Sequence, residues 1–118
     1  MSFNCDKYQE LATFLDEFRT NVTAGKLNAG ELRPHLAKLQ AFFSQQIVPL
    51  VDANSREQSY KTEISKQLRL LEVDMMFLQG AKQLTTLQAR LKTIEERINT
   101  LTGYCQAITQ PTEAQESK

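Results

Sequence analysis

The chain has 118 residues, 41% hydrophobic and 24% charged, which suits one ordinary soluble domain. Lys+Arg (14) balance Asp+Glu (14), and the two signs interleave along the sequence. That leaves no cationic footprint for nucleic acid or for an anionic membrane surface. No apolar run approaches the roughly 20 residues that span a bilayer, and no basic-then-apolar leader opens the sequence. The expectation is a cytoplasmic protein.

Gly (4) and Pro (3) are scarce, and Leu, Gln, Ala, Lys and Glu are good helix formers. Beta-branched and aromatic residues never alternate with period two, so strands are not expected. The first predicted helix runs from about Asn4 to Thr23. Tyr8, Leu11, Leu15, Phe18 and Val22 recur three and four apart, on one face. Ser2 or Asn4 is the expected cap, and Gly25 with Asn28-Ala29-Gly30 the expected turn. The second helix starts near Glu31 with Pro34 in its first turn, where a missing N–H costs little. Its stripe is Leu32, Leu36, Leu39, Phe43, Ile47 and Leu50. Pro49 ends or kinks it near Val48, with Asp52-Ala53-Asn54 as the corner; one kinked helix from Glu31 to Gln83 is the competing parse. Of Phe42 and Phe43, about 100° apart on a helix, one must face the core and the other lies at its edge.

Ser55-Arg56-Glu57-Gln58 fits a capping box and opens a third helix to about Gln83. Its main stripe is Tyr60, Ile64, Leu68, Leu71, Met75 and Leu78; beside it runs a second line of Leu70, Asp74, Phe77 and Ala81. Met75-Met76 reads as core plasticity. Thr85 or Thr86 is the expected cap of the fourth helix, in which Leu84, Leu87, Leu91, Ile94, Ile98, Leu101, Cys105 and Ile108 repeat near heptad spacing. Gln110-Pro111 stops it. The fold expected is all-α, an antiparallel up-down bundle of about four helices over residues 1–109, with a disordered polar tail over 110–118.

Catalytic and metal-binding patterns are sparse. His35 is the single histidine, and an up-down bundle puts it at the opposite end from Cys5 and Cys105, so the three cannot converge on a metal. The two cysteines share one end and can approach each other, but in a reducing compartment they read as small buried hydrophobes. There is no Glu-x-x-His pair, no phosphate loop and no nucleophile elbow. Glu95-Glu96 and Asp16-Glu17 are adjacent pairs, which point apart on a helix. No enzyme, cofactor or metal is expected.

Asp74 is the anomaly, a carboxylate in the apolar run LRLLEVDMMFLQGAKQ. Burying it is costly without a partner. It is either an ion-pair anchor that fixes helix register, with Lys or Arg of another helix as counter-charge, or, with Leu70 and Phe77, the rim of a patch that meets another chain.

The segment TEISKQLRLLEVDMMFLQGAKQ, LQAFFSQQIVPL before it and Tyr104-Cys105 in the last helix together resemble the cyanobacterial heterocyst-frequency control proteins called PatD. The resemblance runs from about Tyr8 to Ile108. It is most specific at Arg69-Leu70-Leu71, Asp74 and Phe77-Leu78-Gln79. It implies a small non-enzymatic regulator of heterocyst frequency and cell division that binds the tubulin-like GTPase FtsZ and modulates its polymerisation, in the cytoplasm and at the division site. Arg69, Leu70, Asp74 and Phe77 are the partner-binding residues expected on that basis. The alternative is a homo-oligomeric helical module, a homodimer for instance, that pairs its surplus apolar stripes.

Overall fold

The computed structural model describes residues 3–24 and 29–109. The periodic segments form helices α1 (Phe3–Ala24), α2 (Ala29–Phe42), α3 (Ser55–Gly80) and α4 (Leu84–Thr109), with a π-helical turn, Phe43–Ile47, closing α2. There is no strand among the described residues.

Each stripe is buried where its spacing puts it. Tyr8, Leu11, Leu15, Phe18 and Val22 of α1 meet Leu32, Leu36, Leu39, Phe43 and Ile47 of the second segment. Ile64, Leu68, Leu71, Met75 and Leu78 of α3 and Ile94, Ile98, Leu101, Cys105 and Ile108 of α4 complete one core. Side-chain contacts fix the directions. Phe18 stacks on His35 and Phe14 packs edge-on against Phe42; Gln40 reaches Glu72; Tyr60 packs on Tyr104; Arg19 reaches Asn99. Along each neighbouring pair of helices the contacts run in opposite directions: Phe14 to Phe42 and Phe18 to His35, Arg33 to Gln79 and Gln40 to Glu72, Tyr60 to Tyr104 and Asp74 to Arg97, Cys5 to Ile108 and Arg19 to Asn99. The bundle is therefore antiparallel and up-down. Helix α4 packs most extensively, on α1 and α3, while α2 against α3 is the thinnest of the neighbouring helix pairs.

The element ends depart from expectation in several places. Helix α2 begins at Ala29, so Ala29-Gly30 is helix rather than turn, and Pro34 lies in the second turn rather than the first. Pro49 terminates the helix rather than kinking it. The Val48 N–H donates to the Phe43 carbonyl five residues back at 2.9 Å, and the Leu50 N–H to Ile47 at 3.0 Å. The widened turn uses up the chain just before proline removes the next donor, so the single kinked helix is excluded. Leu50, expected in the stripe, is half-buried beyond this turn.

The α3 cap is Asn54, one residue before the expected Ser55. Its backbone is extended and its side-chain oxygen accepts the Glu57 N–H at 2.8 Å, and the helix stops at Gly80 rather than Gln83. Helix α4 starts at Leu84, with the Leu87 N–H on the Gln83 carbonyl at 2.9 Å, so Thr85 and Thr86 lie inside its first turn instead of capping it. Leu84 is exposed and Leu87 and Leu91 only half-buried, so the seam opens at this end. Asn4 is not a cap; its amide donates to the Val51 carbonyl at 2.9 Å and to Glu57 Oε2 at 2.5 Å. Ser2, Gly25, Asn28, Gln110, Pro111 and the tail lie outside the described residues.

Candidate functional site

The outward side of α3 carries the candidate surface. Leu70, Val73 and Phe77 follow one another at helical spacing, with Met76 beside them, and they are 37%, 39%, 52% and, for Met76, 63% exposed. Side chains of this size are rarely left in water in contiguous groups without a partner. Arg90 of α4 lies over the Phe77 ring, 4.5 Å from its centre, a cation–π contact that holds the ring on the surface. Lys66, Arg69 and Lys82, all exposed, border the same strip.

The four residues singled out from the sequence therefore separate. Leu70 and Phe77 share the strip. Arg69 stands on its other edge, facing the cleft between α2 and α3. Asp74 turns the opposite way, into the α3/α4 contact, and is buried. Arg97 of α4 grips it, Nε donating to Oδ2 at 2.5 Å and a terminal nitrogen to Oδ1 at 3.4 Å, while the other terminal nitrogen donates to Gln67 Oε1 at 3.0 Å. The two-pronged geometry suits a guanidinium and a carboxylate. Of the two roles open to Asp74, the structure gives it the internal ion pair, and a direct contact with another chain is closed to it. Val73 and Met76 were missed because a pair of methionines next to a buried stripe reads as core. Their rotation away from that stripe, about 100° per residue, was the available signal.

A second polar cluster closes the end where α1 begins. Lys61 donates to the Leu50 carbonyl at 2.9 Å and pairs with Asp52 at 2.8 Å. Arg56 donates to the Ala107 carbonyl at 2.5 Å, satisfying the open end of α4. Tyr8 lies within this end, fully buried, its hydroxyl without a hydrogen-bond partner among the described residues. Burial first, then the Glu57 and Asp52 carboxylates, hold that phenol well above its ordinary range. Cys5 and Cys105 remain thiols; Cys5 Sγ contacts the Ile108 carbonyl at 3.8 Å, and burial pushes the Cys105 thiol from 9.0 to about 12, the opposite of an activated nucleophile. His35 is held by Phe18 and by the Asn21 amide, 3.2 Å from its Nε2. No three His, Cys, Asp or Glu side chains among the described residues are grouped to hold a metal, and no described helix is long and apolar enough to cross a membrane.

These features define a small helical bundle with an exposed apolar strip on α3. Residues 11–104 match the family model described as the CRR41 C-terminal domain, and the chain belongs to that family. No curated protein and no solved structure matches it.

Proposed function

We propose that the protein is a non-enzymatic regulator that works by docking on another protein. The observation that carries this reading is the strip of Leu70, Val73, Met76 and Phe77, large apolar side chains left in solvent on one helix face beside a complete core. The resemblance of the α3 segment to PatD proteins supplies the partner, FtsZ, and the consequence, altered filament assembly in the cytoplasm at the division site, bearing on heterocyst frequency. Docking places the strip against FtsZ, and the bordering cations orient the encounter.

Phe77→Ala tests it. Truncating an exposed aromatic anchor typically removes about 2 kcal/mol or more of binding, so co-sedimentation with FtsZ should weaken by at least about tenfold, while far-ultraviolet circular dichroism stays unchanged. Undiminished co-sedimentation, or a variant that melts, would show that Phe77 is not a contact residue.

A further inference from the structure

Where α2 and α3 touch least, the side of the bundle is open. A cleft of about 600 Å³ lies beside Arg33, Ala37 and Met76. It shares Gln40 and Glu72 with a smaller cleft of about 210 Å³, which in turn shares Phe43, Ser65 and Arg69 with a third of about 460 Å³. The three form one groove. Its α3 wall runs from Thr62 to Met76, which at 1.5 Å per residue is about 21 Å, the length of three to four helical turns. Leu36, Phe43, Leu68 and Met75, all core residues, make its floor. Ala37, Ser44 and Ser65 are the small wall residues that leave it open, and the π-helical turn widens the α2 wall at Phe43.

The charges in this groove are unevenly compensated. Lys61 is neutralised by Asp52, and Lys66 lies 3.4 Å from Glu63. Among the described residues Arg33 bonds to the neutral amide oxygen of Gln79 and Arg69 pairs with no carboxylate, while the groove's own carboxylate, Glu72, accepts from the Gln40 amide at 3.5 Å. Two arginines thus stand along a groove with an apolar floor and polar walls, neither of them paired with a carboxylate among the described residues. A second copy of the chain is a poor occupant: its exposed apolar strip, Leu70 to Phe77, is bordered by Lys66, Arg69, Lys82 and Arg90, which would bring like charges together.

We propose that the α2/α3 groove receives an amphipathic helix of a partner protein, three to four turns long, with an apolar edge on the Leu36–Phe43–Leu68–Met75 floor and flanking carboxylates on Arg33 and Arg69. Such helices anchor through side chains at i, i+3 or i+4, and i+7, and the thioether of Met75 adapts to their shape. The proposal deepens the docking function and rests on it, but does not depend on FtsZ being the partner.

The probe is a synthetic helical peptide with leucines at that spacing flanked by glutamates, and a twin with lysines in their place, each titrated into the isotope-labelled full chain. The glutamate peptide should give saturable amide shifts centred on Ala37, Ser44 and Ser65. It should bind at least about tenfold tighter than its twin, and Arg69→Glu should weaken it by about tenfold. Ser65→Trp should abolish binding by filling the groove; because it could disturb packing, the exposed Arg69→Glu provides the independent check. No saturable shift, equal binding of the twin, or shifts centred on Leu70 and Phe77 would overturn the groove. FtsZ is tested in parallel. Binding to the wild type that falls with Arg33→Glu, in the groove but not bordering the strip, supports the groove as its seat; binding indifferent to Arg33→Glu overturns that. FtsZ that ignores the wild type removes FtsZ from the functional reading, and the peptide titration then decides the groove by itself.

Discussion

Asp74 was visible in the sequence as a problem, yet its solution was not. Helical spacing alone set it in line with Leu70 and Phe77, because a line drawn on an isolated helix ignores which neighbour lies across it. The counter-charge, Arg97, is twenty-three residues away in sequence and is one of three Lys and Arg on α4, with Arg90 and Lys92; only the crossing of α3 and α4 selects it. Both partners are largely buried, their side chains 7% and 21% exposed. Removing one leaves the other desolvated and unpaired, which typically costs about 3–5 kcal/mol, whereas replacing both with apolar residues is often neutral. Asp74→Ala should therefore lower the urea-unfolding free energy by about 3 kcal/mol, and the Asp74→Leu/Arg97→Met double variant should recover most of it. Single-variant losses below about 0.5 kcal/mol would place the pair among ordinary surface contacts.

At the scale of the element, the interiors of the helices were legible and their ends were not. A stripe such as Ile64, Leu68, Leu71, Met75, Leu78 repeats a physical signal over several turns, so an error at one position is outvoted. A cap is one residue, and Asn54 and Ser55 are both good caps. What decides between them is the approach of the chain leaving the π-helical turn, held by Lys61 on the Leu50 carbonyl. Asn54→Ala should cost about 1 kcal/mol in thermal or urea unfolding, while Ser55→Ala, inside the first turn, should stay within about 0.5 kcal/mol. The reverse order would restore the sequence-based cap. The exposed strip was half legible for a similar reason: Leu70 and Phe77 announced themselves by spacing, but the exposure of Val73 and Met76 depends on how far α3 is rotated toward α4, which no local pattern encodes.

For the molecule as a whole, the buried ionisable groups set a pH limit. The Cys105 thiol is raised from 9.0 to about 12 by burial, and the Tyr8 phenol is raised as well. Unfolded chains release these protons at lower pH than the folded protein does, so above pH 9 the unfolded state binds fewer protons and stability falls as pH rises. The contribution of Cys105 is complete below about pH 9 and is lost progressively toward pH 12. Urea unfolding of the wild type should therefore show a falling midpoint over that window, and Cys105→Ala with Tyr8→Phe should flatten the fall. Tyr8→Phe should by itself leave stability at neutral pH unchanged or raise it by up to about 1 kcal/mol, since it deletes a buried hydroxyl without a partner. An alkaline slope unaffected by both substitutions would assign the loss to other groups.

At the pole where α1 begins, several polar links tie helices to the connecting segment and to a helix end. Asn4 ties α1 to Val51 and Glu57, Lys61 ties α3 to Leu50, and Arg56 ties it to the last turn of α4. At the far pole Leu84 stands in water and the α4 seam is half covered. Among the described residues that pole is held by fewer and more exposed links, Asn21 to His35 and Arg33 to Gln79, and an end covered so thinly is the one expected to open first. The widest stretch of the groove, beside Arg33 and Met76, opens toward that pole, so an incoming helix would enter from the end of the molecule that already yields most easily.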